Sequence, residues 1–168
     1  MRRRTRAREL ALQFLYQLDV RGNDIRGELD DFLRQSGASR MARRFATEIV
    51  DGVLAHRDEL DAVIVKVAQN WTLTRMPPVD RNILRLASYE LLHCEDIPVG
   101  VALNEAIELG KRYSTANSGS FINGILDHVK EARPFEGEAP RAPPEHDEEE
   151  EFVPPELRDV IDRRKAAP

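Results

Sequence analysis

Apolar residues recur at the three-and-four spacing of an amphipathic helix along most of the first 130 positions. Between Thr5 and Val20, Ala7, Leu10, Ala11, Phe14, Leu15 and Leu18 share one face, and Gly22, Asn23 and Asp24 then end the pattern. A weaker helix is predicted around Glu28 to Gln35, turning Leu29, Phe32 and Leu33 inward. Ser36, Gly37 and Ser39 supply a break and a candidate cap. Ala42, Phe45, Ala46, Ile49, Val53 and Leu54 form the next stripe, which resumes after His56 with Leu60, Val63, Ile64, Val67, Ala68 and Trp71.

Pro77 and Pro78 predict a loop over Thr72 to Pro78, because each ring removes a backbone donor and disfavours a helical residue before it. A helix then begins at once, with Asp80 in its first turn, where a carboxylate complements the dipole, and Ile83, Leu84, Ala87 and Leu91 facing inward. After Asp96, Ile97 and Pro98, a further helix carries Val99, Ala102, Leu103, Ala106 and Gly110. A last one runs from about Ser118 to Ala132 with Phe121, Ile122, Ile125, Leu126 and Val129 inside. No stretch alternates with period two, so the pattern predicts an all-α domain over residues 1–133.

Beyond Pro134 the composition turns to proline, glutamate and alanine, which bury too little surface to offset the entropy of ordering. Residues 134–168 are therefore expected to be a disordered acidic tail, with Glu156 to Lys165 as a short transient helix. The charge is divided accordingly. Of the formal −5, the tail carries −6 and residues 1–133 carry +1. The run Asp147 to Glu151 has two readings, a solubilising segment or a competitor for the basic N-terminus.

No apolar run approaches the roughly 20 residues that span a bilayer, and the basic start lacks an apolar signal core. Cytoplasmic location without membrane contact is expected. Cys94 has no second thiol to pair with and reads as a buried structural thiol. His56, His93, His128 and His146 are scattered without metal-ligand spacing, so no metal or cofactor is expected. Glu105 and Glu108 read as a solvated face, and no catalytic constellation emerges, which argues against an enzyme.

Two features suit nucleic acid. Arg2, Arg3, Arg4, Arg6 and Arg8 lead straight into the first helix, and guanidinium groups fork onto phosphate oxygens. Tyr113 to Phe121 is a polar segment ending on a helix N-terminus, where free backbone N–H groups attract anions. Asn117 or Ser118 is placed to cap that helix, and Gly119 permits close approach. Phe121 fits either a core position or a platform for an unpaired base.

The opening RRRTRARELALQFLYQLDV, the middle VDRNILRLASYELL with DIPVGVALNEAIELGKRYS, and the closing SGSFINGILDHV together resemble the NusB family of transcription antitermination factors over residues 2–130. The resemblance implies about seven helices in two packed sub-bundles. It also implies binding to boxA-like RNA of ribosomal RNA leader transcripts, pairing with NusE (a small-subunit ribosomal protein), and a place in the RNA polymerase antitermination complex. RNA contacts carry over onto Arg2, Arg3, Arg4, Arg6, Arg8, Asn117, Ser118 and Phe121, and the NusE-facing surface onto Tyr16 and Asp80. Ala116 and Asn117 stand where the family commonly has an acidic pair, which removes repulsion toward phosphate. A homodimer that covers the arm and loop with a second copy is the alternative reading.

Overall fold

The computed structural model describes residues 3–69 and 71–135. The expected tail helix at Glu156 to Lys165 and the acidic run Asp147 to Glu151 lie outside them. Among the described residues the regular structure is seven α-helices with three short 3-10 turns and no strand. The helices are α1 (Arg3–Arg21), α2 (Leu29–Gln35), α3 (Arg40–Ala55), α4 (Arg57–Val67), α5 (Pro78–His93), α6 (Val99–Tyr113) and α7 (Ser118–Val129). Each coincides with an apolar stripe of the sequence, within the few residues by which helix ends vary.

Local chemistry accounts for the boundaries. The Ser39 hydroxyl accepts from the Ala42 N–H at 3.2 Å and starts α3. Gly37, with φ +72°, takes the left-handed conformation just beyond the end of α2. Pro78 occupies the first position of α5, where a missing N–H costs nothing. At the other end of α5, Arg133 donates to the carbonyls of Leu91 and Ile97 at 3.0 and 2.9 Å, tying the close of the helical domain to its central helix.

α1 packs on α3 to form one layer, α6 pairs with α7 in another, and α5 lies between, touching α1, α3, α4, α6 and α7. That position explains its composition. Asp80, Asn82 to Ser88, and Glu90 to Leu92 are all buried, so the helix is covered on nearly every side. Its polar residues consequently need partners. Asp19 of α1 accepts from Arg81 at 2.5 Å and from Asn82 at 3.0 Å, while Arg85 forks onto Asp61 of α4 at 2.7 and 3.2 Å.

Burial works to raise the pKa of Asp19, but the Arg81 and Asn82 hydrogen bonds and the charges of Arg81 and Arg85 outweigh it and hold the carboxyl below its usual 3.8. A depressed carboxylate stabilises the fold above its unfolded pKa and loses that contribution as pH falls through the folded one. Acid titration should therefore show a loss of stability below about pH 4 that is smaller in Asp19→Asn than in the parent.

α6 and α7 approach closely at Gly110. A Cβ there would stand 2.7 Å from Ile122 Cδ1, and Ile122 is fully buried. Gly110→Ala should cost about 1–3 kcal/mol by overpacking, measured by urea unfolding.

Two sequence expectations change. The apolar periodicity continues the α4 stripe to Trp71, yet that helix ends at Val67 and Trp71 is half exposed. Cys94 is only partly buried, at the end of α5, where burial and the Glu90 charge push its thiol up to about 11. It is protonated at neutral pH and therefore a poor nucleophile.

Candidate nucleic-acid interface

The arginine run begins at the first turn of α1, with Arg2 outside the described residues. Because a helix turns about 100° per residue, consecutive arginines leave it in different directions. Arg6 stays at the surface and reaches Glu9 Oε2 at 3.4 Å. Glu9 is buried, and Arg112, in the last turn of α6, donates to its other oxygen. One sequestered carboxylate thus holds two partly exposed guanidinium groups from different helices side by side. Lys111 precedes Arg112 in the chain, and its Cγ lies 3.7 Å from where a Cβ on Gly119 would stand. Sequence reasoning passes over Lys111 and Arg112, although two adjacent basic residues directly before a polar loop are a usable signal.

Arg4 turns the other way, over the Phe45 ring at 4.9 Å and toward Asp96 at 3.7 Å. Arg8 corrects the sequence reading outright. It is 2% exposed and donates through Nε to Glu90 Oε1 at 2.7 Å, with Glu105 a further 3.8 Å away. It therefore crosses the domain interior, and its role is structural. Glu105 is corrected with it, since it accepts from Thr5 at 2.9 Å and faces Arg8 instead of solvent.

Asp80 and Ser118 are likewise buried. The Asp80 carboxylate accepts from Ser114 at 2.5 Å and from Ser118 at 3.2 Å, and the Ser118 hydroxyl also accepts from the Thr115 N–H at 3.2 Å. This network pins the polar loop between α6 and α7 onto the first turn of α5. It removes Ser118 from the surface set and Asp80 from the partner-facing set, because both side chains spend their polar atoms internally.

Asn117 remains exposed and makes no capping bond, contrary to one reading of the loop. One turn further, Phe121 is half buried, and its ring meets Trp71 edge-on with centroids 6.0 Å apart. Phe121 is thus neither sealed in the core nor free of it. Trp71 supplies exposed aromatic surface where the periodicity predicts an interior residue. Tyr16 is exposed, and Val20 one turn along α1 extends it into a small apolar strip.

The NusB family model matches residues 5–131, nearly the whole described domain. The chain belongs to the NusB family. A transcription antitermination protein NusB of Anaeromyxobacter sp. (strain Fw109-5) is 51% identical over 135 residues, covering 80% of this chain and 94% of that protein. The corresponding protein of Syntrophus aciditrophicus (strain SB) is 47% identical over 127 residues, 76% of this chain and 79% of its own length. Among solved structures, T. maritima NusB superposes with a TM-score of 0.68 at 37% identity, covering 82% of this chain and 94% of that one. A crystal structure of antitermination factors NusB and NusE in complex with dsRNA has a TM-score of 0.71 at 29% identity, covering 79% and 98%. The all-helical NusB architecture expected from the sequence is therefore present. None of its described helices is long and apolar enough to cross a membrane.

Proposed function

We propose that this NusB-family chain is a non-catalytic RNA-binding antitermination factor that holds boxA-like single-stranded RNA of ribosomal RNA leader transcripts together with NusE. In that role it acts in the cytoplasm within the RNA polymerase antitermination complex. The observation that carries the reading is the buried Glu9 carboxylate, which presents Arg6 and Arg112 together beside Lys111 and Gly119. Preset guanidinium groups lose less freedom on meeting phosphate than a flexible arm does. Arg3, in the first turn of α1, and Arg2 before it in the sequence add to this charge, while Asn117, Phe121 and Trp71 offer polar and aromatic contacts for bases. The exposed Tyr16 and Val20 strip is assigned to NusE.

Fluorescence anisotropy with a boxA-like single strand, a scrambled strand and a duplex, each with and without NusE, tests the proposal. The expected result is preference for the boxA-like strand, strengthened by NusE. Equal and weak binding to all three, unaffected by NusE, would reject it.

Trp71→Ala should cost about 1–3 kcal/mol of RNA binding while changing stability by less than about 1 kcal/mol, as expected for an exposed stacking residue. Phe121→Ala should lower both, because its ring is half buried against the core. Parallel anisotropy and thermal melts of the two variants distinguish these outcomes.

A further inference from the structure

The four histidines are far apart in sequence, but the fold brings two of them together on the face formed by the α3–α4 corner and the end of α5. His56 closes α3, Glu59 lies in the first turn of α4, and His93 is the last residue of α5. Glu59 Oε2 lies 3.5 Å from His56 Nδ1, and its Oε1 lies 3.2 Å from His93 Nε2. One ligand atom from each of the three residues can be chosen so that all lie within 4.8 Å of one another. We propose that His56, Glu59 and His93 form a binding site for a divalent transition cation of the zinc class.

The donor set is two imidazoles and one carboxylate, a combination that suits zinc and its neighbours more than magnesium or calcium. Ligand atoms about 2.0–2.1 Å from a tetrahedral ion stand about 3.3 Å from one another. The Glu59 carboxylate lies 3.5 Å from the His56 imidazole and 3.2 Å from that of His93, through a different oxygen to each, so binding through one oxygen requires a small rotation of the carboxylate. The helix ends contribute unequally. His93 stands at the C-terminal end of α5, where the partial negative charge of free carbonyls favours a cation, His56 joins the C-terminal end of α3 to the N-terminal end of α4, and Glu59 stands in the first turn of α4, where a carboxylate is stabilised.

The imidazoles are stacked, with centroids 3.8 Å apart and planes 17° from parallel, and Tyr89 continues the stack beside His93 at 5.8 Å. Coordination in the plane of each ring requires the pair to splay. Their partial exposure leaves room for that rotation. Three protein ligands leave one position for water or an external ligand, and a groove of about 470 Å³ lined by Glu59, His93, Leu92 and Phe135 opens alongside. Occupied, the site would clamp the α3–α4 corner to the far end of the central helix.

The test is calorimetric titration of Zn²⁺ into the metal-stripped, tag-free full chain, repeated for H56Q, H93Q and the tail variant H146Q. Imidazole NMR is recorded in the unsubstituted protein, and Co²⁺ replaces Zn²⁺ to read ligand-field absorption. The expected result is one equivalent bound, affinity lowered by at least about tenfold in H56Q and H93Q but retained in H146Q, and imidazole shifts at His56 and His93. Far-UV circular dichroism establishes that each variant is folded. Absence of binding, equal affinity in H56Q and H93Q to that of the parent, loss confined to H146Q, or unmoved His56 and His93 resonances would each overturn the proposal.

Discussion

Arg8→Ala is expected to remove about 3–5 kcal/mol of folding stability, because it leaves the fully buried Glu90 without its countercharge. The native pair is incompletely satisfied. Arg8 Nη2 and Glu90 Oε2 are buried without a hydrogen-bond partner. Burial pushes the Glu90 carboxyl above its usual 4.5, against the opposing pull of Arg8. Removing Arg8 should raise it further. A carboxyl raised on folding favours the folded state below its unfolded pKa, and that advantage is lost as pH rises through the folded value. The deficit of Arg8→Ala relative to the parent should accordingly be largest near neutral pH and shrink as pH falls toward about 4.5. The double variant Arg8→Met with Glu90→Leu should recover most of the loss, since replacing both members of a buried pair by apolar residues is often neutral. Urea unfolding at several pH values, with matched slopes across variants, checks each of these outcomes.

Alanine at Arg2, Arg3, Arg6 and Lys111 together should weaken RNA binding by more than about tenfold at 0.1 M salt and leave the melting temperature within a few degrees. Arg112 is deliberately retained, because removing it along with Arg6 would strand the buried Glu9 carboxylate and confuse stability with binding. The log–log salt slope should shrink by about 0.7 for every phosphate that is no longer neutralised. An unchanged slope would show that these side chains do not meet the backbone of the RNA.

The helices were legible because each carries apolar residues at helical spacing, which repeats regardless of what the helix packs against, even in α5, which is covered on nearly every side. The same register also sorts the polar residues. Arg8 shares its face with Ala11, Leu12 and Leu15, whereas Arg6 leaves α1 toward Glu9 and Arg112, so one arginine run holds both a core residue and a surface one. Asp80 is in register with Leu84, Ala87 and Leu91, and Ser118 with Ile122 and Ile125, which places both on buried stripes.

Other features depend on tertiary structure. Trp71 lies beyond the end of α4, so helical register stops predicting its direction, and its contact with Phe121 joins residues remote in sequence. His56 and His93 meet only because α5 returns alongside the α3–α4 corner, and the ion pair Arg112 to Glu9 is a contact across 103 positions. Neither has a local sequence signature.

The most direct test of the proposed RNA surface is an amide and side-chain NMR titration of the full chain with a boxA-like single strand. The largest shifts are expected at Arg3 to Arg6, at Lys111 and Arg112, at Asn117 to Phe121 and at the Trp71 indole, with the His56, Glu59 and His93 face unmoved. Shifts concentrated on His56, Glu59 and His93, with the start of α1 and the start of α7 unchanged, would contradict that surface.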